Sequence, residues 1–382
     1  MNLYFDNAAT SYPKPKEVVT SMTNYMNNIG SSPGRGAYKK SLASSRIVFE
    51  CRQEIANFFN YENPNNVVFT GGITTSLNIL LKSFLKDGDH IITTSMEHNS
   101  VLRPIFSLSS IKNVEYDIIS ANQDGFINTD DIIHSIKSNT IAIIVNHSSN
   151  IVGSIQNLKS IGQICKDNNI LFIVDTAQSA GIIPINFKEI NCSALAFTSH
   201  KGLLGPQGLG GFIISDDLNE LCTTFIEGGT GSLSESIVQP DFLPDKFESG
   251  TLNTPAIYGL YEGIKFINKE GILTIKEKEE YLTSLFINGL QNTDGIILYG
   301  SSDTSKKTAV ISITSNKFSN SELSYVLDKD YGIMTRTGLH CAPLAHKTIG
   351  SYPTGTTRFG IGYFQNEDDI KYTLNVLKKL HK

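Results

Sequence analysis

A lysine and a carboxylate, each just past an apolar run, are the residues of this sequence that most invite chemistry. Asp175 closes ILFIVD and Lys201 follows ALAFTSH. In an open α/β sheet, ligands sit beyond the carboxyl ends of the strands, so both residues are expected to face one crevice. Taken singly, such an acid caps a helix and such a lysine is a solvated charge. Together they match the demands of pyridoxal phosphate (PLP) chemistry, which needs an amine for a Schiff base and a carboxylate that keeps the pyridine nitrogen protonated.

A phosphate site is the third requirement. In TGGITTSLNIL, Gly71 and Gly72 precede a helix whose first turn holds Thr74, Thr75 and Ser76, and the N–H groups of a helix start favour a bound phosphate. His98, in SMEHNS, follows the run HIITTS, where an imidazole can stack on the cofactor ring. A glycine turn or a single histidine is more often structural. Their weight comes from recurring at equivalent strand ends.

Cys341 stands apart from the other cysteines. Cys51, Cys165, Cys192 and Cys222 lie in apolar surroundings and read as small buried hydrophobes, whereas Cys341 sits in the polar, loop-like RTGLHCAP. The spacing gives neither a CxxC pair nor a secreted disulfide framework. A zinc site from His340, Cys341 and His346 lacks an evident fourth ligand, so no metal is expected.

These residues need a scaffold that aligns strand ends. The segment SRIVFECRQEIANFF puts Ile47, Cys51 and Ile55 on one helical face. Seven short β-rich runs follow: NNVVFT, HIITTS, VEYDIIS, TIAIIVNHS, ILFIVDTA, ALAFTS and GGFIIS, with helical stretches between them. Several are apolar throughout, as strands covered on both faces are. The alternation predicts an α/β fold: a mainly parallel, doubly wound seven-stranded sheet over residues 15–255. Long helices, the strand KTAVISITS and a last helix then predict a smaller α+β domain over 256–382, joined by residues 1–14.

With 382 residues, 40% hydrophobic and 18% charged, the chain has the composition of a folded two-domain protein. A net charge of −5 without a basic cluster argues against nucleic acid. No apolar run reaches the roughly 20 residues of a membrane span, and the N-terminus shows no leader, so a cytoplasmic location is expected.

The set DNAAT, EHNS, SSNIVG, DTAQ, TSHKG, GTLNT and RTGLHCAP resembles the class V aminotransferase superfamily of fold-type I PLP enzymes, in its cysteine desulfurase and selenocysteine lyase branch. The resemblance runs from Phe5 to about Phe364. It implies that Lys201 carries the cofactor, Asp175 pairs with the pyridinium and His98 stacks on the ring. Gln178 and Asn150 would bond the cofactor's 3′ oxygen or the substrate carboxylate. Ile73, Thr74, Thr198 and His200 would hold the phosphate, with Thr251 reaching it from a neighbouring subunit of a homodimer. Arg358 would grip the substrate carboxylate, and Arg336 and Arg35 would line the entrance.

Cys341 would attack the chalcogen of L-cysteine or L-selenocysteine, leaving alanine and a persulfide that passes to an acceptor protein. The chain departs from the pattern around the substrate end: the segment GLLG after Lys201 is one residue longer than usual, Phe359 and Gly360 follow Arg358, Gly34 replaces a histidine, and the loop carries Leu339 and His346. Cysteine desulfurase is the expected activity. Selenocysteine lyase and an aminotransferase without persulfide chemistry stay open beside it.

Overall fold

The computed structural model describes residues 2–34 and 36–382; the expected entrance residue Arg35 lies outside the described residues. Its strands are β1 (Leu3–Tyr4), β2 (Val67–Thr70), β3 (His90–Thr94), β4 (Glu115–Ile119), β5 (Thr140–Asn146), β6 (Leu171–Asp175), β7 (Ala194–Thr198), β8 (Gly210–Ile214), β9 (Ile296–Tyr299), β10 (Val310–Ser315), β11 (Ile333–Met334), β12 (Arg336–Gly338) and β13 (Thr356–Gly360). The helices are α1 (Lys16–Asn24), α2 (Lys39–Phe58), α3 (Ile73–Phe84), α4 (Asn99–Lys112), α5 (Thr129–His134), α6 (Leu158–Asp167), α7 (Asp216–Leu221), α8 (Thr254–Glu270), α9 (Ile272–Gln291), α10 (Asn320–Tyr331), α11 (Pro343–Thr348) and α12 (Glu367–His381).

All seven apolar runs become strands of one sheet, ordered β2-β8-β7-β6-β5-β3-β4. Five of them, from β4 across to β7, pair in parallel, while β8 runs antiparallel to both β7 and β2. The carboxyl ends of β2, β3, β5, β6 and β7 therefore share one edge. Side chains of alternate residues enter opposite cores, as the pleat demands. Ile143 and Val145 join α2, α6 and α8, whereas Ala142 and Ile144 join α3 and α4.

A second sheet, β12-β13-β10-β9, packs with α9, α10 and α12 around Phe286, Ile311 and Phe359. The first residues belong to this unit: β1 pairs in parallel with β11, and Leu3 and Phe5 enter the same core. Ala256, Ile257, Leu260, Ile264 and Ile267 of α8 are buried with the large sheet. We therefore propose that the division falls near Gly271, past α8, and not at residue 255. Among the described residues no helix is long and apolar enough to cross a membrane.

Candidate active site

Asp175 is the last residue of β6 and is buried at 4% exposure. Its Oδ1 accepts the Ala177 N–H at 2.8 Å. Burial raises its carboxyl above the usual range, against the pull of that N–H and of Lys201. Lys201 lies three residues beyond β7, and burial brings its amine down to about 8, with Asp175 opposing the shift and Arg358 adding to it. An amine brought down to about 8 is still mostly protonated at neutral pH, but far more of it is neutral, the state a nucleophile and base requires, than of an ordinary lysine.

His98 ends the turn after β3 and caps α4, its Nδ1 accepting the Ser100 N–H at 3.0 Å. The neutral ring therefore carries its proton on Nε2. Burial, reinforced by Lys201, Arg358 and Arg103, holds it at about 4.

The phosphate end is built where three strands meet a helix. Thr198 of β7 and Thr70 of β2 both flank Gly210 of β8. Gly210 has to be glycine, since a Cβ there would lie 2.8 Å from the Cα of Gly72. That close approach sets the start of α3 over the sheet edge. Gly72 is the N-cap and gives no side-chain bond, so the N–H groups at Ile73 and Thr74 face outward uncapped. His200 Nδ1 is buried there without a partner.

At the substrate end, Arg358 of β13 and Arg336 of β12 are register partners. Two adjacent cations would repel, and Asp6 resolves this by taking both: Arg336 Nη2 at 2.8 Å and Arg358 Nη2 at 3.3 Å. Arg358 Nη1 also donates to the Asn150 carbonyl at 2.9 Å, and its Nε is left unpaired. Asn150 Nδ2 donates to the His340 carbonyl at 2.8 Å, tying the arginine to the loop of Cys341, while Asn150 Oδ1 remains without a partner. Gln178 Nε2 donates to the Ala8 carbonyl at 2.8 Å.

Cys341 is exposed, and both it and His340 adopt left-handed backbone conformations, φ +58° and +44°. The loop is nevertheless anchored, because Asn99 N–H donates to the Cys341 carbonyl at 2.8 Å and Ala342 and Ala345 pack on Met96, Ile151 and Val152. A cleft of about 320 Å³ joins Cys341 to Thr74, His98 and Arg103. His346, considered above as a zinc ligand, is buried with its ring 5.7 Å from that of His340.

Lys201, Asp175, His98, Asn150, Gln178, Arg358 and the Cys341 loop thus converge on one region. Thr251 does not join them within this chain: it is exposed and lines a separate cavity with Gly34, Arg52 and Glu248. Asp6 belongs to the motif DNAAT, yet nothing local in the sequence marks it as the partner of two arginines. Its partners are 330 and 352 residues away, which no local pattern displays.

The site fits PLP by its unmet needs. A buried acid, an uncapped helix start and a lysine of lowered pKa are accompanied by unpaired Asn150 Oδ1 and His200 Nδ1, which a polar ligand could satisfy.

Fold and site together define a protein of the fold-type I class, and the comparisons agree. The pattern of the family Aminotransferase class-V matches residues 3–373, and the chain belongs to that family. A probable cysteine desulfurase of Methanothermobacter thermautotrophicus is 32% identical, covering 99% of this chain and 94% of that protein. One of Borreliella burgdorferi is also 32% identical, over 100% and 92%. The apo structure of a cysteine desulfurase from Thermococcus onnurineus NA1 superposes with a TM-score of 0.94 at 30% identity, covering 100% and 94% of the chains.

Proposed function

We propose that this protein is a PLP-dependent cysteine desulfurase that converts L-cysteine to L-alanine and takes the sulfur onto Cys341. The observation that carries this reading is the exposed Cys341 at a cleft shared with His98 and Thr74, together with a half-buried lysine of lowered pKa and the buried acid Asp175.

When bound, PLP supplies an electron sink for the substrate Cα. Lys201 would hold it covalently, Asp175 would hold its ring nitrogen proton, His98 would lie on its face, and Gln178 and Asn150 would flank it. Ile73, Thr74, Thr198 and His200 would hold the phosphate, with Thr251 of a second copy in a homodimer.

The chain's own groups then divide the work. Arg358, fixed by Asp6 and the Asn150 carbonyl, presents a planar guanidinium to the substrate carboxylate. Arg336 would line the entrance. Lys201 Nζ, as the neutral amine, would move the Cα proton. The Cys341 thiolate attacks the substrate sulfur: an S–S bond forms, the Cβ–S bond breaks, and Cβ is protonated as alanine is completed. The Cys341 persulfide passes its outer sulfur to an acceptor protein.

The test is alanine release from L-cysteine. Cys341→Ala should keep the yellow chromophore and lose alanine release from cysteine, while Lys201→Ala should lose the chromophore's covalent link. A Cys341→Ala variant fully active with an amino acid and keto acid pair would make the protein an aminotransferase, and release from L-selenocysteine alone would make it a selenocysteine lyase.

A further inference from the structure

A buried acid that this chemistry does not use lies immediately before His98. Glu97 is fully buried, and its Oε1 accepts the Thr94 hydroxyl at 2.7 Å and the Asn146 N–H at 3.0 Å. Its Oε2 has no partner, and neither does the buried Asn146 Oδ1. Turning the Asn146 amide over would not help. Its Nδ2 donates to the Met96 carbonyl at 2.8 Å, and the flipped group would set two oxygens against each other. Asn146 is the register partner of Asp175 on the adjacent strand, and the next N–H, of His147, donates to the Asp175 carbonyl at 2.9 Å. Glu97 and Asp175 therefore share one buried layer under the site.

Two bare oxygens on residues already joined by a hydrogen bond are costly, and a proton on Glu97 Oε2 would give both a partner. We propose that Glu97 is a positioning residue kept as a neutral carboxylic acid, its Oε2–H donated to Asn146 Oδ1, which leaves Asp175 the single anion beneath the cofactor ring. Burial favours this state, with Asp175 adding to it and the Asn146 and Thr94 bonds opposing, for a balance at about 8. The other groups facing the layer are His98 at the start of α4 and His147 after β5, both held neutral by burial, and the Lys201 amine after β7. Only Asp175 is then left to answer the charge of a protonated ring nitrogen. The role given to the ring rests on the proposed function; the protonation of Glu97 does not.

Infrared spectroscopy of the full-length protein without cofactor reads the proton directly. At neutral pH a deuterium-sensitive carboxylic-acid stretch is expected, missing from Glu97→Gln and unchanged in Cys341→Ala. Glutamine keeps an oxygen for the Asn146 N–H and an N–H for its Oδ1, so Glu97→Gln should bind PLP like wild type with an unmoved pH profile of its absorption band. Glu97→Ala strips both partners and should bind roughly 5- to 100-fold more weakly. Absence of any Glu97-dependent acid band, or a Glu97→Gln protein that binds as weakly as Glu97→Ala, overturns the proposal. A wild type that binds no PLP would defeat the functional reading instead, and the infrared result would still decide the state of Glu97.

Discussion

Asp6 holds two arginines that would otherwise repel, and it is itself 8% exposed. Removing it leaves Arg358, at 3% exposure, as a buried charge without a counterion. Asp6→Ala is therefore expected to destabilise the protein by about 3–5 kcal/mol, measured by denaturant unfolding. Arg358→Lys keeps the charge and loses the planar fork. Its KM for cysteine should rise roughly tenfold or more while PLP binding is unchanged.

Lys201 gives a pH-dependent prediction at the same scale. Its folded value of about 8 lies below the 10.5 of the unfolded chain, so the unfolded state binds more protons from pH 8 to 10.5. Stability from this group is thus lowest below pH 8 and recovers as pH rises through that window. Without cofactor, Lys201→Met should be more stable than wild type by about 1–3 kcal/mol at pH 7, with the gap closing towards pH 10.5. Thermal unfolding of the two proteins across pH checks this, and a gap that widens with pH would contradict it.

At the level of elements, α3 owes its placement to missing side chains. A Cβ on Gly210 would lie 2.7 Å from the Phe197 carbonyl oxygen as well as against Gly72, and both neighbours are backbone. Gly210→Ala should push the helix start off the sheet edge, costing about 1–3 kcal/mol in stability and weakening PLP binding. Equilibrium dialysis and denaturation together test it. The seven runs of the large sheet were legible because strands covered on both faces are continuously apolar. The antiparallel insertion of β8 was not, since a buried strand reads alike in either direction. Strands β9, β12 and β13 do not stand out in the sequence either: β12 is three residues long, and β13 carries Thr356, Thr357 and Arg358 where a buried strand is expected to be apolar.

Across the whole molecule, the N-terminal strand returns to the last domain, and its next residues reach the site from there. The two cores meet around Met96, Ile151, Val152 and Ala342, so the Cys341 loop is seated by residues of both. Packing also moves α8 to the large sheet, because its apolar face and a long-helix pattern say nothing of which core will cover it. By itself the sequence determined the layer architecture, and it singled out Lys201, Asp175, His98 and Cys341 as candidates, since strand ends and motif spacing are local. Only the tertiary structure decided how Asp6 balances Arg336 and Arg358, that Thr251 stands apart from Lys201 within one chain, and that Glu97 and Asn146 form a layer with Asp175. Those arrangements depend on desolvation and on contacts between distant segments, which arise only once the chain has closed.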